Sequence, residues 1–224
     1  MKKGLGIAAA LLWLVFSVTG VVRWIAGDGG LMAAEMLRNA PPAQSGLPEG
    51  EYAGVGKMTA DFLTGRTAEF QYVLQGSAGE GTECFQAHEA AHMADCRDLI
   101  RLDLAVCACS GIAAAALTAA GWMHKSGRKQ FLRGILWGLR AAAVIAGGFL
   151  VWALADYDGL FITFHRVAFR NDGWLLDPRT DLLIRLMPET FFIRLGIHGL
   201  LRFAAAPAIM AAAAEIGLRR AKNR

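Results

Sequence analysis

The sequence predicts an all-α polytopic membrane protein with four transmembrane helices, on three observations. The hydrophobic set makes up 55% of the 224 residues and charged residues 19%, with a mean hydropathy of +0.37; a soluble domain is usually about 45–50% apolar with about 25% charge. Four windows, roughly 4–26, 103–122, 134–155 and 191–217, each supply the run of about 20 apolar residues that a helix needs to cross a hydrocarbon core. The charges also sort by segment. Lys2, Lys3, Lys125, Arg128, Lys129, Arg133, Arg219, Arg220, Lys222 and Arg224 come with no acid among them, whereas 27–103 and 156–194 hold ten Lys or Arg against eighteen Asp or Glu.

This composition excludes a disordered chain, and four Cys are too few for a disulfide scaffold. The net charge of +4 does not argue for nucleic acid, because under the positive-inside rule its sorting matters more than its sum. The rule places both termini, the loop 123–133 and the tail 218–224 in the cytoplasm, and 27–102 and 156–190 outside it. The whole chain, 1–224, reads as a single membrane domain. Its first apolar run, Gly4 to Val22, exceeds the roughly 7–15 residues of a signal-peptide core, and no small-residue cleavage site with a lipid-accepting Cys follows it, so it reads as a retained anchor.

The first outer segment opens with a Gly- and Pro-rich stretch, Gly27 to Gly56, expected to be irregular with at most a short helix near Leu31 to Leu37. Met58, Phe62, Leu63, Phe70, Val73 and Leu74 then form a loose helical stripe, which predicts an amphipathic interfacial helix over 58–74. After a flexible run from Gly76 to Gly81, one helix is expected from about Phe85 into the second span. On it His88, His92, Asp95 and Leu99 are spaced to share a face.

The second outer segment mixes Phe161, Phe164, Phe169 and Trp174 with His165, Arg166, Arg170, Asn171 and Asp172, a pattern suited to the headgroup layer. Asp177 followed by Pro178 predicts a capped helix containing Leu182 to Met187, ended by Pro188, which in turn starts the fourth span. Within spans, Arg140 is expected to snorkel or to meet Glu215. His198 and Arg202, one turn apart, are candidates for a polar cavity.

Two chemistries compete for the histidines. His88-Glu89-Ala90-Ala91-His92 matches H-E-x-x-H, in which two His bind zinc and the Glu activates water; that reading makes the protein a membrane zinc metalloprotease. A Cys nucleophile is weaker. Cys84 and Cys96, if both helical, lie ~18 Å apart, too far for a disulfide. Cys107 and Cys109 read as packing residues, and Cys96 next to Arg97 is the one candidate for an activated thiol. A non-enzymatic scaffold is the remaining alternative.

The blocks EAAHMADCRDL before the second span and FHRVAFRNDGWLLDPRTDLLIRLMPETFF before the fourth resemble the bacterial Lit family, the lipoprotein intramolecular transacylases. The likeness extends from Met58 onward. It implies that the sn-2 acyl chain of a diacylglyceryl-cysteine moves to the free α-amino group of the same cysteine, giving a lyso-form lipoprotein, with no acyl-enzyme. It also implies diacylglyceryl-modified lipoproteins and membrane lipids as partners, no nucleic acid, no cofactor and no metal, at the extracytoplasmic side of the cytoplasmic membrane. His92 and His165 match the family's two histidines. The expected division of labour has His92 as general base and acid, oriented by Asp95 or Glu89, and His165, with Arg166 or Asn171, facing the oxyanion. Arg170, Asp172, Trp174, Asp177 and Asp181 complete the supporting set. Cys96 stands where the family motif commonly has an apolar residue, which argues against an essential thiol, and His88 lies outside the motif.

Overall fold

The computed structural model describes residues 2–75, 81–123 and 127–222. The expected flexible run at Gly76, apart from Gly81 itself, and Lys125 of the basic loop lie outside them. In chain order the helices are α1 (Lys2–Gly27), α2 (Gly29–Asn39), α3 (Pro42–Ser45), α4 (Tyr52–Leu63), α5 (Ala87–Met123), α6 (Arg128–Ala155), α7 (Tyr157–Ala168), α8 (Leu182–Leu186), α9 (Glu189–Phe203) and α10 (Ala205–Lys222), with a 3-10 turn at Glu49–Glu51. Among the described residues no strand forms beyond an isolated antiparallel bridge between Val73 and Glu83. Four helical stretches are long and apolar enough to cross a membrane: Lys2–Gly27, Ala87–Met123, Arg128–Ala155 and Glu189–Ala221. The last is broken by a turn at Ala204, because Pro207 lacks the N–H that would bond back to Phe203.

The chain divides into two compact units, one comprising Met1–Val21, Leu104–Phe164 and Leu201–Arg224, the other Val22–Asp103 and His165–Leu200. The first holds the apolar lengths of the spans. There α1 and α6 approach so closely that a Cβ on Gly6 would collide with the Phe131 carbonyl oxygen, and one on Gly134 with that of Lys3. Small residues that admit backbone to backbone are the usual means of packing helices where no hydrophobic drive separates helix from lipid. Trp13 donates its indole N–H to Thr118 Oγ1 at 3.0 Å, and Arg140 lies over the Trp137 ring. Val144, Ile145, Phe149 and Leu154 of α6 are exposed, as lipid-facing residues must be.

The second unit packs around Met32, Met36, Tyr52, Val55, Phe62, Phe70, Phe85, Leu186 and Phe191. Asp28 caps α2 by accepting from the Leu31 N–H at 2.9 Å, and α2 lies against α4. The amphipathic helix expected over 58–74 is displaced: α4 begins at Tyr52 and ends at Leu63. Gly65, with φ +77°, takes the left-handed conformation that stops a helix and that other residues adopt at a cost. Phe70 then leaves the helical stripe to lie between Phe62 and Phe85, edge-on to the first and tilted to the second, with ring centroids 5.3 and 4.7 Å away. Past it the chain doubles back, the Cys84 N–H donating to Tyr72 O at 2.9 Å and the Leu74 N–H to Thr82 O at 3.0 Å. The capped helix expected after Asp177 is displaced as well. Asp177 is spent on Arg179, accepting from its backbone N–H and its guanidinium. Residues 178–180 form a turn, and α8 starts at Leu182 with Asp181 in the cap position.

A buried carboxylate that sequence reasoning passed over anchors the start of α9. Glu35 of α2 accepts from Arg194 Nε at 2.5 Å and pairs with His198 Nε2 at 3.0 Å. Burial opposes its ionisation, but the bonds from His198 and Arg194 outweigh that and hold its pKa below the ordinary carboxylate value. His198 is thus engaged by Glu35.

Candidate active site

α5 runs for 37 residues, ~56 Å at 1.5 Å per residue, far more than a ~30 Å hydrocarbon core requires. Its charged stretch through Asp98, Arg101 and Asp103 ends where the apolar run begins at Leu104, and the second compact unit ends at the same place. The first turns of α5, with Glu89, His92, Asp95 and Cys96, precede that apolar run.

Glu89 explains why the helix starts where it does. As the third residue of α5 it reaches back to accept from the Gln86 N–H at 2.7 Å, half of a capping box. Its other oxygen accepts from the Leu183 N–H of α8 at 2.6 Å. One fully buried carboxylate thereby joins two stretches of chain ninety-four residues apart. The same commitment removes the zinc-hydrolase geometry, which needs a glutamate oxygen free to activate water. His88, moreover, does not accompany His92: its Nε2 lies 3.0 Å from Asp181 Oδ2, and that hydrogen bond raises the His88 pKa above the ordinary value. Asp181 is buried, also accepting from the Asp177 N–H and the Thr180 hydroxyl.

His92 faces His165 instead. The ring centroids are 6.3 Å apart with planes at 33°, and both residues are buried, at 9% and 8% exposure. Phe169, one turn beyond His165, walls the pair with centroids 5.1 Å from His92 and 5.6 Å from His165. Trp174 covers His165 at 4.9 Å. This placement follows from the chain: α7 ends at Ala168 with the Phe169 N–H still bonded to His165 O. An Asn171 side chain that accepts from the Gly173 N–H then turns the loop so that Trp174 comes back over the ring. The other end of Asn171 donates to Asp95 Oδ2 at 2.9 Å, pinning this loop to α5.

The electrostatics favour neutral imidazole at His92. Burial lowers its pKa, proximity to His165 lowers it further, and Asp95 offsets this only in part. Among the described residues its Nδ1 is buried without a hydrogen-bond partner, and its Nε2 lies 3.7 Å from Cys96 Sγ. Neither Asp95 nor Glu89 thus orients His92 by a hydrogen bond, contrary to expectation; packing against Phe169 and His165 does so. Burial pushes the Cys96 thiol up to about 12, which leaves it protonated and a poor nucleophile. Arg166, Arg170 and Asp172 are exposed. Asn171 is a strut between loop and helix.

The family model for the lipoprotein intramolecular transacylase Lit matches residues 6–192. The chain belongs to the Lit family. Among solved structures, the membrane-integral Lit of Bacillus cereus matches with a TM-score of 0.80 at 15% identity, covering 100% of this chain and 99% of that one. Variants of the same Bacillus cereus protein in which one histidine is replaced match as well. The arginine variant gives 0.70 at 15% identity over 98% and 92% of the two chains, and the alanine variant 0.72 at 16% over 100% and 96%. At that identity the likeness is one of fold. No curated protein sequence matches the chain.

Within this Lit-family site, sequence reasoning had taken Phe169 for an interfacial anchor, although its i+4 spacing from His165 was the available signal. Glu35 offered only a lone acid in an apolar helix. The proximity of Cys96 to His92 was readable as an i, i+4 pair on α5.

Proposed function

We propose that this Lit-family enzyme moves the sn-2 acyl chain of a lipoprotein's diacylglyceryl-cysteine to the α-amino group of the same cysteine, and that His92 and His165 carry the transfer. The observation that supports this is the buried pair of imidazoles, 6.3 Å apart under Trp174 and Phe169. An α-amine with its ordinary pKa near 8 is largely protonated at neutral pH and must lose a proton to attack an ester carbonyl. That first proton goes to water before attack, and a neutral His92 then accepts the second proton, which the nitrogen sheds as the nitrogen–carbon bond forms. The tetrahedral oxyanion is stabilised by His165 with Arg166 at its side. Collapse breaks the bond to the glycerol oxygen, which takes the proton back from His92. No atom is gained or lost, and no acyl-enzyme or cofactor is needed because donor and acceptor share one cysteine, so that proximity comes from the substrate itself.

The charge sorting supports a cytoplasmic-membrane location with both termini inside and the histidines on the extracytoplasmic side. The partners are then diacylglyceryl-modified lipoproteins presented from the bilayer. The test is mass spectrometry of the N-terminal lipopeptide of a lipoprotein coexpressed with this chain. The expected product has unchanged mass with one acyl group on nitrogen in place of glycerol; an unaltered lipopeptide rejects the reading.

A further inference from the structure

We propose that His92 and Cys96 form a chelating site for a soft divalent cation of the Zn²⁺ or Cd²⁺ class, and that its occupation silences the histidine pair. The silencing rests on the catalytic reading of His92; the binding does not.

The two residues are one turn apart on the same face of α5, a rigid helix, with Nε2 and Sγ 3.7 Å from each other. A tetrahedral zinc with Zn–S of about 2.3 Å and Zn–N of about 2.0–2.1 Å separates its donors by about 3.6 Å. The pair is therefore spaced for a shared ion without any change of backbone. An S–H···N contact at this distance is a weak bond, so little is given up when a cation replaces the proton between them. Coordination forms the metal–sulfur and metal–nitrogen bonds and releases the thiol proton to water, and the cation itself draws that proton off. Asp95, adjacent to Cys96 and near enough to act on both its thiol and the His92 ring, supplies a further negative charge.

Among the described residues no three donor side chains already converge on one point. The site is a two-donor chelate, and water or the His165 ring completes it. Such a site is distinct from the H-E-x-x-H arrangement, since His88 and Glu89 are engaged elsewhere. It ties the His92 ring to a cation through Nε2, so cation and substrate compete for the same imidazole.

The experiment uses the purified full-length chain in detergent with CdCl₂ as the probe. Near-ultraviolet absorption of the thiolate–Cd²⁺ charge-transfer band reads binding, and lipopeptide conversion reads activity. The expected result is a saturable band reversed by chelator, absent in Cys96→Val and at least ten-fold weaker in His92→Ala. Cys84, Cys107 and Cys109 remain in both variants as internal controls. Cys96→Val should transfer acyl chains like the parent while needing at least ten-fold more Cd²⁺ or Zn²⁺ for half-inhibition; Cys96→Ala serves if valine impairs folding. An undiminished band in Cys96→Val or Cys96→Ala, or no band in the parent, overturns the site. A band that depends on Cys96 in a protein without transfer activity keeps the site and rejects the catalytic reading instead.

Discussion

Asn171 donates its side-chain amide to Asp95 at 2.9 Å, tying the loop after α7 to the helix that carries His92. The same Asn171 accepts from the Gly173 N–H, so one side chain both shapes the loop that carries Trp174 and fixes it against α5. Asn171→Ala should leave the chain inserted and folded but cut transfer by up to about ten-fold, since a hydrogen bond to a charged partner is worth about 1.5–3 kcal/mol and exposure discounts it here. Asp95→Asn, which keeps an accepting oxygen, should fall less. The check is the fraction of lipopeptide converted at equal protein level.

Trp174 covers His165 with ring centroids 4.9 Å apart. Trp174→Phe should retain most of the transfer, because a flat apolar ring remains, whereas Trp174→Ala should open the pair to water and lose about ten-fold or more. Equal activity in all three proteins would show that the cover is not used.

Burial and His165 hold the His92 pKa below the ordinary 6.5. A base must be neutral to accept a proton, so transfer should rise with pH through this lowered pKa and become independent of the His92 ionisation above it. The part of the acid limb that belongs to His92 is therefore expected to have its midpoint below pH 6.5, with the substrate amine adding a second rise near its ordinary pKa of about 8. For stability the sign is the same: a folded-state pKa below the unfolded value favours the neutral form, so stability is present above the unfolded pKa and falls as pH drops below it. Lipopeptide conversion in proteoliposomes between pH 4.5 and 8 measures the first.

Glu89 is fully buried and accepts from Gln86 N–H and Leu183 N–H. Glu89→Ala leaves the buried Leu183 N–H unpaired, at a cost of about 1–3 kcal/mol, and removes the partly buried bond to Gln86 N–H as well, and should lower the apparent melting temperature in detergent by several degrees. Glu89→Gln, with one accepting oxygen, should lie between. A zinc hydrolase would instead keep its stability in Glu89→Gln and lose only activity.

The membrane class, the four spans and the long α5 were legible in the sequence, because lipid demands runs of apolar residues and a helix that satisfies its own backbone, and both are local properties of the chain. His92 stood out by its helical face and by H-E-x-x-H, but its partnership with His165 was legible only through the two motif blocks. Their approach to 6.3 Å joins positions seventy-three residues apart and no local pattern encodes it. The displaced α4 and α8 show how local reading fails. Phe70 fits a helical stripe in sequence, yet is buried against Phe62 and Phe85 beyond the helix end, and Asp177 reads as a cap but is spent on Arg179. Glu89 is the sharpest case. Its sequence context offers water activation, while the tertiary structure buries it and hands both oxygens to backbone donors on separate stretches of chain. Hydrophobic length is written residue by residue, and it decided the spans. The partners of a buried polar group are chosen by whatever unpaired donors folding brings within 3 Å, and only the tertiary structure decided those.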